Sequence, residues 1–161
     1  MKTVILALYN QLQVSPDLTY ANPSGYHSES VLRLIQLNKF PFYNVIPFPG
    51  SDSYRIETVP NMSFKDIERH IYRIQIQYAV RAMAVNEAIM GDITKGVTGV
   101  LDFQKDMWDV ITADITLGGT VRDILPGYST GFDMVQDEED KLFIAGGEMT
   151  IEFYKDVFKR S

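Results

Sequence analysis

The chain has no cysteine among its 161 residues. That excludes disulfides, thiolate catalysis and every zinc site built on sulfur. Histidine is nearly as scarce. His27 and His70 are the two, and their wide separation leaves little for a histidine-based metal centre. Long apolar runs are missing as well. The opening Met1–Tyr9 stretch is short and has no small-residue cleavage site behind it, so it does not read as a signal peptide. No segment approaches the roughly 18 apolar residues of a membrane span, so the expectation is a soluble chain with no membrane contact, kept in a reducing cytoplasm. Positive charge is in deficit: 15 basic against 21 acidic residues leave −6, with a pI near 4.8. A free-standing nucleic-acid binder would present the opposite balance.

What is present is ordinary globular material, 45% hydrophobic and 22% charged, which argues against intrinsic disorder. A chain of roughly this length buries about 68–70% of its unfolded surface and forms one domain. Ile5, Leu8, Tyr9 and Leu12 recur at helical spacing, and Ser15-Pro16-Asp17 ends that helix. Residues 28–38 fit a helix through Val31, Leu34 and Ile35, although Leu32, Leu34 and Gln36 also fit a strand. Phe42–Ile46 is aromatic and β-branched between prolines, which predicts a short strand at a sheet edge. From 49 to 69 the pattern predicts a long mobile loop, of the kind that is usually functional.

The clearest signal is strict alternation over 70–81. His70, Tyr72, Ile74, Ile76, Tyr78 and Val80 are assigned to the core, and Ile71, Arg73, Gln75, Gln77, Ala79 and Arg81 to a wet face. Helical spacing follows from Val85 to Ile93, and again at Val100, Phe103, Met107, Val110 and Ile111. The chain then predicts strands at Thr120–Leu125, Phe132–Val135, Lys141–Ala145 and Met149–Phe158. Gly146-Gly147 is expected to be a bulge, and Asp137-Glu138-Glu139-Asp140 a hairpin turn. This order predicts an α+β fold: a mainly antiparallel sheet with helices packed on one face, in a single domain over 1–161.

Candidate chemistry is thin. Asp137–Asp140 lacks the spacing and glycine of a calcium loop. Asp102, Asp106 and Asp109 share a helix face, which any exposed helix surface also displays. Gly127-Tyr128-Ser129-Thr130-Gly131 matches the letters of a nucleophile elbow, yet no histidine follows it. His70 reads as a core-edge histidine rather than a catalytic one. Neither catalytic nor metal-binding residues nor a cofactor are therefore assigned. The stripe Arg73, Gln75, Gln77 and Arg81 reads either as a solvated sheet surface or as a surface facing a partner or a channel. Aromatics are the unexplained excess, with several in or near predicted loops: Tyr20, Tyr26, Phe40, Phe48, Tyr54, Phe64, Tyr128 and Phe132. Such residues favour interfaces, here between copies of the chain.

The layout resembles the tail terminator (minor tail or tail-completion) proteins of long-tailed bacteriophages. The resemblance lies in the leading Val4–Gln13 helix, Phe40-Pro41-Phe42-Tyr43-Asn44-Val45, the His70–Arg81 strand, the Val100–Ile111 helix and the closing Met149-Thr150-Ile151-Glu152-Phe153-Tyr154 strand. It implies a virion subunit of the tail or neck, made in the host cytoplasm, that forms a ring, commonly a hexamer. Such a ring caps the tail tube, stops its polymerisation and joins the tail to the head. The implied partners are the chain itself, the tail tube protein and a head-side connector or stopper protein, with DNA passing through unbound. Phe48, Tyr54, Phe64, Arg73, Gln75, Gln77, Arg81 and Phe132 are the expected partner or subunit contacts. The competing classes are a small hydrolase using Ser129 or the Asp102–Asp106 pair, and a ligand-binding α+β domain with a closed apolar pocket.

Overall fold

A computed structural model describes residues 1–25, 39–59, 67–125, 129–137, 139 and 141–158. The predicted segment at 28–38 lies outside the described residues, as do His27, Phe64, Tyr26 and Tyr128. The fold is α+β. Helix α1 (Lys2–Val14) leads, followed by strands β1 (Asn22–Gly25), β2 (Phe42–Pro47), β3 (Tyr54–Val59) and β4 (Ile67–Ala82). Helices α2 (Val85–Met90) and α3 (Val100–Ala113) come next. Strands β5 (Asp123–Ile124), β6 (Ser129–Asp137) and β7 (Leu142–Phe158) close the chain.

The sheet is organised around β4 and β7, antiparallel from Ile67↔Phe158 to Ala82↔Phe143 without a break in register. On one flank β2 and β3 lie end to end along β4, β2 against Ile74–Ala79 and β3 against Ile67–Tyr72. Phe48 spans the join, its amide donating to the Arg73 carbonyl at 2.9 Å. On the other flank β6 and β5 lie end to end along β7 in the same manner. All these pairings are antiparallel; β1 adds to β2 in parallel.

A period of two sorts the side chains as the alternation predicts. Ile74, Ile76, Tyr78 and Val80 of β4 and Met149, Ile151 and Phe153 of β7 face the helices and are buried. From α1 they receive Val4, Ile5, Leu8 and Leu12, and from α3 Val100, Phe103, Met107, Val110 and Ile111. Phe103 sits among Tyr20, Tyr43 and Tyr78, at ring-centroid distances of 5.9, 6.5 and 6.1 Å. Two of these hydroxyls find partners, Tyr20 donating to Asp106 (2.6 Å) and Tyr78 to the Gly131 carbonyl (2.7 Å). Gln11 of α1 donates to the Val110 and Asp114 carbonyls (2.9 and 3.0 Å), covering acceptors that the C-terminal end of α3 leaves open.

Several expectations need correction. The 49–69 segment is not one loop: a 3-10 turn (Ser51–Ser53) leads into β3, and β4 begins at Ile67. Polar composition hid this, because a strand over a solvent-facing flank has no reason to be apolar. Phe42–Ile46 is not a sheet edge, since β1 covers Phe42–Val45. Helix α2 stops at Met90, because Gly91 takes φ 76° and the Asp92 carboxylate caps a following 3-10 turn by accepting from the Thr94 amide. Of Thr120–Leu125 only two residues are strand. The stretch before them is folded around Asp114, whose carboxylate accepts from the Thr116 and Gly118 amides and which places Leu117 and Val121 in the core.

Gly146-Gly147 is not a bulge. Both residues keep register within a continuous β7, and small size is the requirement there: a Cβ on Gly147 would collide with the Gly131 carbonyl of β6. Gly147→Ala is expected to cost about 1–3 kcal/mol through forced separation of β6 and β7, measurable as a lower urea midpoint with unchanged slope. Phe103→Ala is expected to cost about 3–5 kcal/mol, because three aromatic rings lose their common neighbour.

Candidate functional site

The face of the sheet turned away from the helices carries the most organised polar chemistry among the described residues. Its residues are the odd positions of β4 and β3 and the even positions of β7, brought side by side by the β4–β7 and β3–β4 registers. Arg69 pairs with Asp156 through two contacts of 2.8 and 3.1 Å, and Arg122 reaches the same carboxylate at 2.6 Å. Arg55 binds Glu152 at 2.9 and 3.3 Å and Glu57 at 3.1 Å. Arg73 lies 3.8 Å from Glu152.

Arg69 and Arg73, and Arg81 further along the face, also rest on aromatic rings. The guanidinium carbon is 4.3 Å from the Tyr154 ring centre for Arg69, 3.9 Å from Phe48 for Arg73 and 5.1 Å from Phe40 for Arg81. Between Arg73 and Arg81 the face is bridged by amides. Asn44 donates to Gln77 (3.0 Å), Gln77 to Gln75 (3.5 Å) and Gln75 to Glu148 (3.1 Å), which links β2, β4 and β7. Gln75 and Asn44 are buried, so these bonds offset a desolvation cost that would otherwise be large. Ile71 and Ala79 are buried on this face too, and Phe42, Phe40 and Ile144 pack beside Ala79. The face is therefore not simply wet.

Its electrostatics follow from the pairing. The Arg69 guanidinium holds the Asp156 carboxyl below the usual carboxylate range, with Arg122 adding to the effect. Hydrogen bonding to Glu152 raises Arg55, and bonding to Asp156 raises Arg69. Exposed ion pairs contribute little individually, but the Asp156 side chain is only 10% exposed. Its bidentate partner therefore matters more than a rim pair would.

The structure brings together Phe48, Arg73, Gln75 and Gln77 of the expected contact set, with Arg81 further along the same face. It does not bring in Tyr54 or Phe132. Tyr54 lies on the helix side of β3, its hydroxyl 2.5 Å from His70 Nδ1, and His70 Nε2 is 3.4 Å from Glu68. Phe132 sits on the helix side of β6, opposite Gly147, and is 36% exposed. Sequence reasoning missed Arg55, Arg69, Glu148, Glu152 and Asp156. The signal for the last three was the even-numbered spacing in β7, legible only once a partner strand is known.

Ser129 opens strand β6 opposite Thr150, not a strand-to-helix elbow. Asp106 is engaged by Tyr20 and Asp109 by Lys105. Among the described residues, no three His, Asp or Glu side chains gather as a metal site, and no helix is long and apolar enough to cross a membrane. A surface depression of about 270 Å³ lies between Thr120–Arg122 and Lys155–Phe158; another, of about 260 Å³, lies between α1 and the end of α3.

No protein-family model matches the chain, and no curated protein matches it. Among solved structures the chain is similar to a chain of the virion of a native gene transfer agent particle. The identity is 7%, 94% of each chain is covered and the TM-score is 0.36.

The Asp156 pairing has a testable consequence. A carboxyl lowered on folding stabilises the native state above its unfolded value of about 4 and loses that contribution as pH falls through the folded value. Asp156→Asn is expected to lower stability at pH 7 and to flatten the acid limb of stability against pH. Urea unfolding at intervals from pH 7 to pH 3 measures both.

Proposed function

We propose that the chain is a structural subunit of a phage-like virion. More finely, it is a ring-forming tail terminator that caps the tail tube, halts its polymerisation and joins the tail to the head-side connector or stopper. The observation that carries this reading is the way the helix layer covers only part of the long sheet. Residues 54–59, 67–72 and 153–158 form a three-stranded arm, with Ile56 midway along it and Phe158 at its tip 51% and 65% exposed. An arm of this kind suits contact with neighbouring subunits better than it suits a monomer. The layout named from the sequence supports the same reading, since its leading helix, alternating strand, second helix and closing strand are all present in that order.

The ion-paired face fits a lumen. Binding to DNA draws on cations that release counterions from phosphates. On this face the arginines are turned to carboxylates and rings, so DNA passes without being held. The role is stoichiometric binding; no catalytic step is assigned.

Native mass spectrometry of the purified chain is expected to show a closed oligomer, six subunits by the resemblance, and co-sedimentation is expected to place it on preassembled tail tubes. Tubes assembled without it should grow to uncontrolled lengths. A strict monomer at high concentration that leaves tube length unchanged would overturn the reading.

A further inference from the structure

Two groups of exposed apolar side chains serve neither the core nor the ion-paired face, and they lie at opposite ends of the β4–β7 pair. One end is a ledge over residues 83–101, where Met83, Val85, Met90, Ile93 and Leu101 are 79, 40, 65, 98 and 41% exposed. This ledge is built rather than frayed. Asp92 and Val97 bridge to one another, and Gly91 and Gly99 approach too closely to admit a Cβ on either. The Asp92 cap and Gly96 at φ 65° fix the turn that turns Ile93 outward. The other end is the helix-side surface of the arm, where Tyr54, Ile56 and Val157 are 41, 51 and 38% exposed. His70 lies directly between Ile56 and Lys155 there. The stretch of β4 from His70 to Ala82 separates the two surfaces by about 40 Å.

Their unpaired charges differ in sign. The ledge carries Glu87, Asp92 and Asp102 against Lys95, with Asp102 in the first turn of α3 and in no hydrogen bond or ion pair among the described residues. On the arm surface Glu68 lies 3.4 Å from His70, which leaves exposed Lys155, in no hydrogen bond or ion pair among the described residues, as its unpaired charge. Ledge against ledge would bring acids together. Ledge against arm buries apolar surface on both sides and sets Lys155 against the acids of the ledge.

We propose that the ledge of one copy docks on the arm of a second copy in a head-to-tail contact. This rests on the ring reading and specifies its contact. Each docked copy keeps a free ledge and a free arm, so the contact repeats until rotation closes it.

The test uses two variants of the full chain, a ledge variant (Met90→Asp with Ile93→Asp) and an arm variant (Ile56→Glu). All three positions are exposed, and circular dichroism checks the fold. Lys155→Glu is a second arm variant that leaves the apolar surface intact. By native mass spectrometry, each variant alone is expected to shift from the oligomer mass to the monomer mass, Lys155→Glu with at least tenfold weaker assembly. An equimolar mixture of ledge and arm variants is expected to give a one-to-one dimer, because one intact ledge meets one intact arm. Wild-type assembly with no such dimer, or with variants that still form the full oligomer, overturns this contact while leaving the ring in place. A wild-type chain that stays monomeric overturns the ring reading itself.

Discussion

The unbroken antiparallel register between β4 and β7 is the constraint on which the rest of the molecule depends. In a strand pair a shift by one residue would send every side chain to the other face. Here one register places Ile74, Ile76 and Tyr78 beside Ile151, Met149 and Gly147 on the helix side. The same register places Arg69 beside Asp156 and Arg73 beside Glu152 on the other. Core and ion-paired face are thus two consequences of one alignment. The glycines at 146 and 147 protect it, because side chains there would push β7 away from its neighbours.

The helix layer explains why the sheet is used unevenly. Helices α1 and α3 are about 20 Å long at 1.5 Å per residue, less than half the length of the strands they cover. Their apolar stripes meet the half of the sheet that carries Tyr43, Tyr78 and Met149, with Phe103 at the centre. The remaining half extends beyond these two helices as the arm, with Arg122 hydrogen-bonded along its edge. In a monomer such an arm exposes apolar side chains without return, whereas in an assembly the same side chains become contact surface. Shape, rather than any reactive group, therefore directs the functional reading.

The face away from the helices combines rigidity with low net charge. Stacked guanidiniums and bidentate carboxylates hold each other in place, and the Asn44–Gln77–Gln75–Glu148 chain gives partners to amide groups that would otherwise be costly to bury, although Asn44 Oδ1 has none among the described residues. A surface of this kind neither attracts polyanions strongly nor collapses onto itself, although the chain as a whole carries −6.

Much of the fold was legible in the residues alone. Strict alternation over 70–81 identified the central strand and its core face, and helical spacing identified α1 and α3, because burial of one face imposes those periods directly on sequence. The absence of cysteine and the scarcity of histidine narrowed the chemistry before any fold was known. Other features had no local signal. Strand β3 is polar on a solvent-facing flank, the two glycines answer to a carbonyl on another strand, and the partners of Arg55 and Arg69 lie 97 and 87 residues away. Sequence by itself determined the elements whose pattern reflects their own burial. Only the tertiary structure decided which strands are neighbours, which charges meet and which apolar residues remain uncovered, because those depend on register between segments distant along the chain.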